Sequence, residues 1–545
     1  MKKTTTILLI LFFLTAANLY SQLTNSTPAL GDIIWEGTIP VNPCTSLNDL
    51  QPKSLKEIGD VNGDGKHDII VATENYWTIC YNGNASGTAQ ILWSFNTCFG
   101  TNNTGSVDWE DAMQIMDDIN NDGIQEVVIG TGGGNENVYV LSGATGLILW
   151  EYGDPVPTNN YNGDINGIRV DKDFNNDGKM DVLVSASGEG SSHPGRHSII
   201  CLNGLNGQEL FVTVINCEFT HDVASLTTGG AISFASNGGP YGVKGVNNSG
   251  VLQWSYSASS TVWSTKQIPD INNDGNTDLV GLYGFAGGIF AISGSNGQQL
   301  WTNSLGSSNN GTVELVDDKD HNGYPDLIFS APQSAFRIDS KNNQILWSRP
   351  FSASYIRDAG LLGDVSGDSI GECLFSTQQP GKVFVLDGNT GAILFEYLFG
   401  NTIQQRADRV TSLASIDSNT ANEFVACSRD GRIKCFSGGS GTILGISSNN
   451  QEMPEKFALY QNYPNPFNPV TKIKFDLPAG SRHDVFVQLK IYDILGREVE
   501  VLIDKTLEAG IHSVVWDATN FSSGVYYYEL KVGDYKDIKK MTVVK

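Results

Sequence analysis

Basic side chains are scarce in this 545-residue chain: 34 Lys and Arg stand against 59 Asp and Glu, a net charge of −25. That balance excludes nucleic acid and anionic membrane as charge-held partners. Long apolar runs are lacking at the N-terminus, where Ile7–Leu14 offers only eight residues, too few to span a bilayer. Lys2 and Lys3 before that run, and the small residues in Ala16–Ser21 after it, read as a secretory signal peptide over 1–21. No transmembrane segment is expected. The eight cysteines show no C-x-x-C spacing, which leaves zinc and thioredoxin-like chemistry without support. In a secreted chain Cys80/Cys98 and Cys201/Cys217, each pair flanking one strand, are candidate disulfides, with buried thiols as the alternative. The seven histidines are scattered, and Pro194 and Gly195 break the nearest approach to a cluster, His193 and His197. No G-x-S-x-G, H-E-x-x-H or Walker loop is present, so no enzyme motif stands out.

What the chain has instead is a nine-residue acidic loop, met six times: DVNGDGKHD at 60–68, DINNDGIQE at 118–126, DFNNDGKMD at 173–181, DINNDGNTD at 270–278, DKDHNGYPD at 318–326 and DVSGDSIGE at 364–372. Oxygen side chains at positions 1, 3, 5 and 9, with the backbone carbonyl of position 7, suit calcium, which takes six to eight oxygens in flexible geometry. The ligand sets are Asp60, Asn62, Asp64, Lys66 and Asp68; Asp118, Asn120, Asp122, Ile124 and Glu126; and Asp173, Asn175, Asp177, Lys179 and Asp181. They continue with Asp270, Asn272, Asp274, Asn276 and Asp278; Asp318, Asp320, Asn322, Tyr324 and Asp326; and Asp364, Ser366, Asp368, Ile370 and Glu372. Glycine at position 6 permits the positive φ that wraps the loop. An EF-hand needs Glu at position 12 and flanking helices. Here position 12 is Val71, Ile129, Val184, Gly281, Phe329 or Phe375, and β-branched strand runs such as DVLVSA at 181–186 follow. The loops carry 18 of the acids, so six bound calcium ions would bring the charge to about −13.

Around each loop lie four strand-like pieces; in four copies the last two are joined by a G-x-x-G turn, as in VYVLSGATGLILWEY at 138–152, IICLNGLNGQELF at 199–211, IFAISGSNGQQLW at 289–301 and VFVLDGNTGAILF at 383–395. Two further copies lack the metal loop: His221–Tyr256, and Thr411–Ile446, where Asp417–Glu423 is too short to close on an ion. Four antiparallel strands repeated at this period indicate an all-β fold of β-propeller blades over 22–446. The loops resemble those of the FG-GAP (integrin α-subunit-like) calcium propellers, and the G-x-x-G hairpins look like those of PQQ-like quinoprotein propellers. That resemblance implies structural calcium on the face where first and second strands join. A pyrroloquinoline quinone pocket is not locatable in these residues. Asp32–Gly37 (DIIWEG) matches the fourth-strand pattern and would close an eight-bladed ring; with Ile443–Ile446 in that slot, a seven-bladed ring with one irregular copy is the alternative.

The repeat stops at a polar linker, 447–456, and alternating strands over 457–545 predict a small immunoglobulin-like sandwich. YPNPFNP at 463–469, Leu495-Gly496-Arg497 and Gly524-Val525-Tyr526 resemble the C-terminal sorting domain of type IX secretion cargo. The same pattern is similar to the immunoglobulin-like domain of the flagellar hook-capping family. The first resemblance implies export to the cell surface or medium, with Lys539–Lys545 read by the secretion machinery.

A binding role follows from the face opposite the loops. Trp109, Tyr161, His221, Trp263, Tyr355 and Arg409 each enter a first strand and would stand around the channel mouth, where aromatic platforms suit sugar rings or a peptide. Packing between blades is the competing account of these aromatics. The expectation is an adhesion module for an extracellular glycan or protein; a lyase-type polysaccharide-degrading enzyme and a structural surface component are the alternatives.

Overall fold

The computed structural model describes residues 28–44, 50–99, 104–153, 163–187, 195–236, 239–284, 288–304, 312–331, 333–351, 355–417, 421–439, 456–462, 465–478, 485–507, 510–519, 521–533 and 535–544. The signal-peptide assignment, 447–455 of the linker, Tyr161, His193 and Ile443–Ile446 lie outside them. The chain divides into two compact units, Met1–Ile443 and Leu444–Lys545. Apart from two short 3-10 turns, the described regular structure is strand, and no helix is long and apolar enough to cross a membrane.

Seven sheets of the first unit consist of four strands in chain order, as in Ile165–Lys172, Asp181–Ala186, Ser198–Leu202 and Glu209–Val214. An eighth takes Ala407–Leu413, Glu423–Ser428 and Arg432–Phe436 and completes itself with Ile33–Thr38 from the other end of the chain. Its first strand contacts that of the first sheet, Pro52–Ile58, and every other first strand likewise meets the next. The eight sheets therefore close on themselves. Second strands are rich in apolar residues because both sheet faces are covered, and DIIVAT at Asp68–Thr73 is buried at every position.

One contact recurs around the circuit. The fourth-strand tryptophan donates its indole N–H to a carbonyl in the next sheet's third-to-fourth turn: Trp93 to Gly143 at 2.6 Å, Trp150 to Gly204 at 2.9 Å, Trp254 to Gly294 at 3.1 Å and Trp347 to Gly388 at 2.8 Å. The second glycine of each turn lies under the same ring. Gly207 has φ +72°, and a Cβ there would come within 2.6 Å of Trp150. The G-x-x-G turn thus serves both the hairpin and its neighbour's docking. Trp35 repeats the bond to Gly83 at 2.8 Å and joins the eighth sheet to the first.

The cysteine pairing differs from expectation: Cys44 bonds Cys98, while Cys80, Cys201 and Cys217 are free. Cys80 pairs in register with Trp93 and Cys201 with Phe211. Cys98 and Cys217 lie five and six residues further along, roughly 16–20 Å at strand rise, beyond any disulfide's reach.

The second unit holds a three-stranded and a four-stranded antiparallel sheet. Residues of both, among them Phe475, Trp516, Leu489 and Tyr528, form one buried core. The last strand, Tyr535–Val543, lies at the edge of the four-stranded sheet, with Met541 and Val543 in the core and Lys536 and Lys540 exposed.

Candidate functional site

The six acidic loops share one fold. The first aspartate accepts backbone N–H groups across its loop: Asp60 from Gly63 at 2.7 Å and Gly65 at 2.6 Å, Asp270 from Asp274 at 3.1 Å and Gly275 at 2.7 Å. In the first five loops position 3 accepts from position 5, and in all six position 5 accepts from position 7, as Asn120 does from Asp122 at 2.8 Å and Asp122 from Ile124 at 2.9 Å. Two residues per loop have positive φ. Position 6 was legible as glycine, and Ser369 takes the same conformation, φ 73°, in the sixth loop. Position 4 is the other; its Gly63, Asn121, Asn176, Asn273, His321 or Gly367 is a residue that tolerates this region.

Position 9 is buried and holds two segments together. Asp68 accepts from Val61 and from Gly83 in the third-to-fourth turn, both at 2.8 Å. Burial pushes Asp68, Asp278 and Asp326 up to about 6 and Glu372 to about 7. The donor set fits a hard divalent ion: in Asp318, Asp320 and Asp326, and again in Asp364, Asp368 and Glu372, carboxylate oxygens converge within 4.8 Å.

The sixth sheet departs from the pattern. Where the first, second, third and fifth sheets offer a turn glycine to position 9, the fully buried Arg337 donates Nε to Asp326 at 2.8 Å. Its other nitrogens reach the Asp317 carboxylate at 2.8 Å and the Gly388 carbonyl of the next sheet at 3.0 Å. Sequence reasoning passed over Arg337, although the missing glycine in DSKNNQILW at 339–347 marks the place. Arg337→Ala strands a buried carboxylate and is expected to cost about 3–5 kcal/mol. Urea unfolding measures this, and an unchanged midpoint would contradict the role given to Arg337.

At the opposite ends of the first strands lies a cavity of about 1010 Å³. Trp109, His221, Trp263 and Arg409 line it, whereas Tyr355, half-buried, is not among its lining residues. Trp109 stacks on Trp263 with centroids 5.2 Å apart and planes at 30°, and His221 lies 4.5 Å from Trp263. Trp109 also rests on the core between the first and second sheets, so the packing account holds for part of its surface. Neither tryptophan lies in a fourth strand, the place that separates them from the docking tryptophans.

Two lining residues, Asp111 and Asp222, belong to a connected layer of charge that composition did not reveal. Arg169 lies 3.1 Å from both Asp111 and Asp222, and Lys266 lies 3.5 Å from Asp111 and 3.0 Å from Glu314. Burial opposes the charge on Asp111, but Arg169 and Lys266 outweigh it and hold that carboxyl below the usual range. Burial prevails at Asp222, pushed up to about 6 against the pull of Arg169, and takes His221 down to about 4, keeping its ring neutral. Asp108, also lining the cavity, is pushed up to about 6 by burial. Several polar atoms facing this space are buried without a hydrogen bond: Asn166 Oδ1, Glu110 Oε2, His221 Nδ1, Ser264 Oγ and Thr312 Oγ1. Buried polar groups left so are costly, and a bound molecule would satisfy them.

Comparison with known proteins agrees with both units. Residues 461–545 match the family described as secretion system C-terminal sorting domain, and residues 178–397 match the outer membrane protein assembly factor BamB family. No curated protein matches the chain. Among solved structures it is similar to Saccharomyces cerevisiae Sqt1, at 9% identity and TM-score 0.51 over 75% of this chain and 99% of that one. The V. cholerae biofilm matrix protein Bap1 follows at 14% identity and TM-score 0.48, covering 75% and 91%, and BamB from Moraxella catarrhalis at 13% and 0.35, covering 75% and 100%. These likenesses speak to fold alone. The repeat region is BamB-like and of β-propeller type, and the type IX sorting domain at its C-terminal side marks the chain for the secretion machinery and for export to the cell surface or medium.

Proposed function

We propose that this chain is an eight-bladed, calcium-stabilised propeller, followed by an immunoglobulin-like sorting domain, that binds an extracellular glycan in the cavity opposite its calcium loops. The observation that carries the reading is the stacked Trp109–Trp263 pair lining a cavity with buried, unpartnered polar atoms. Aromatic faces cover the apolar side of a sugar ring, and the polar atoms answer its hydroxyls. Closure of the eight first strands supports the blade count, and the oxygen sets of the loops support calcium. Bound there, calcium would neutralise carboxylates that otherwise repel one another. The basic, outward-facing residues of Tyr535–Val543 would be the part met by the export machinery.

The test is retention of the calcium-loaded protein on immobilised polysaccharides, with parallel assay for new reducing ends or unsaturated products. Saturable retention without products is expected. Trp263→Ala should weaken it on the order of tenfold or more, as removal of a central aromatic anchor does. Product formation would transfer the protein to the enzyme class, and self-association without glycan binding would make it a structural surface component.

A further inference from the structure

The fifth acidic loop, 318–326, is built differently from the rest. The other loops carry asparagine or serine at position 3 and aspartate at position 5; here Asp320 and Asn322 reverse that order. The exchange has a counterpart on the third strand. The slot opposite position 9, across the second and third strands, holds Asn203 in the third sheet and Ser293 in the fifth. Both donate to position 5 of their own loop, Asn203 to Asp177 at 2.7 Å and Ser293 to Asp274 at 3.0 Å. A side chain in this slot therefore faces the loop. In the sixth sheet the slot holds Asp339, in register with Asp326. Directly paired residues share a sheet face, so both carboxylates stand on the side of the loop.

Asp339 brings a charge where those sheets bring a donor. It is fully buried; Oδ1 accepts the Lys341 N–H at 2.8 Å, and Oδ2 has no hydrogen bond. Asp326, equally buried, has no hydrogen bond at Oδ1. Arg337 does not answer either atom: it spends Nε on the other Asp326 oxygen, Nη2 on Asp317 and Nη1 on the Gly388 carbonyl. Among the described residues no basic side chain forms an ion pair with Asp339. Its charge reaches Asp320, whose carboxyl is raised by burial, by the hydrogen bond with Asp318 and further by Asp339. Buried carboxylate oxygens without donors are costly, and a hard cation held between them removes that cost. Asp387, at the same slot of the seventh sheet, differs. It is half-buried and accepts the Thr390 N–H at 2.7 Å and hydroxyl at 2.8 Å within its own turn.

We propose that Asp339 is a fourth carboxylate ligand of the calcium ion held by Asp318, Asp320 and Asp326, which makes the fifth loop the site that fills first and empties last. This rests on the calcium reading of the loops and singles out one of them, because the count of charged ligands tunes calcium affinity. Equilibrium dialysis of the full chain against EGTA-buffered calcium, with bound calcium counted by atomic emission, tests it. At about 10 µM free calcium, below the range of ordinary extracellular modules, about one ion per chain should remain bound. Asp339→Asn should move the half-filling point of that ion upward by about tenfold or more, and Asp387→Asn should leave it in place. In EDTA, Asp339→Asn should melt no lower than wild type, since it removes an uncompensated buried charge, and should gain less from added calcium. A variant that melts lower in EDTA yet binds calcium as wild type does would make Asp339 a structural residue only. Where Asp339→Asn folds poorly, Asp320→Asn on the exposed side of the same loop should move the same half-filling point. A tight ion indifferent to both changes, or sites that all fill together, would overturn the assignment and leave the calcium reading intact. No bound calcium up to about 10 mM would overturn both.

Discussion

Trp35→Ala is expected to destabilise the first unit more than the same change at Trp150. Both indoles donate to a carbonyl in the next sheet, at 2.8 and 2.9 Å, and both are buried. Removing a buried tryptophan costs about 3–5 kcal/mol in lost contacts and cavity. The stranded Gly83 or Gly204 carbonyl adds about 1 kcal/mol or more. Trp150, however, joins sheets already consecutive in the chain, whereas Trp35 joins the last to the first. It lies between core residues of both, including Leu55 and Ile69 on one side and Val425 and Cys435 on the other, and stacks on Tyr81 at 6.4 Å. The N-terminal strand Ile33–Thr38 also pairs along Arg432–Phe436, and its loss would expose that edge strand. Denaturant midpoints and proteolysis near residue 40 measure the difference. Equal destabilisation by the two variants would mean that ring closure adds nothing.

Calcium removal is expected to have the larger total effect. Extracellular calcium modules bind with Kd of about 10⁻⁴–10⁻³ M. At about 10 mM calcium each such site adds roughly 1.4–2.7 kcal/mol through preferential binding to the folded state. Six sites together would raise the melting temperature on the order of 10 °C in a unit of this size. EDTA should reverse the gain, and calcium should restore it better than magnesium, which accepts only near-octahedral geometry. The apo loops are already held by their own hydrogen bonds, such as those from Gly63 and Gly65 to Asp60. Apo protein should therefore melt earlier while retaining its strand content, and a melt insensitive to both reagents would remove calcium from the account.

The sequence made these loops legible because position 6 glycine and the spaced oxygens are local requirements of nine consecutive residues. The strands were legible for the same reason: burial on both faces leaves apolar runs such as Glu126–Gly130. Trp109, His221, Trp263 and Arg409 were found by their place before or within first strands, since that topology sends them to one mouth. Partners distant in the chain were not legible. Arg337 reaches Asp317 and Gly388, Arg169 reaches Asp111 and Asp222, and Cys44 reaches Cys98, contacts set by the ring and marked by no short motif. The fourth sheet shows how a lost loop is replaced. Lys172, from the third sheet, donates to the carbonyls of Leu226, Thr227 and Gly229 at its first-to-second turn.

The measurement that bears most directly on the account is tryptophan fluorescence during titration with neutral, acidic and amino hexasaccharides. Six of the ten tryptophans are held between sheets by indole-to-carbonyl bonds and should report nothing. The account predicts a saturable change with at least one sugar, absent from the Trp109→Phe, Trp263→Phe double variant. A change that survives in that variant, or no change with any sugar, would contradict glycan binding in this cavity.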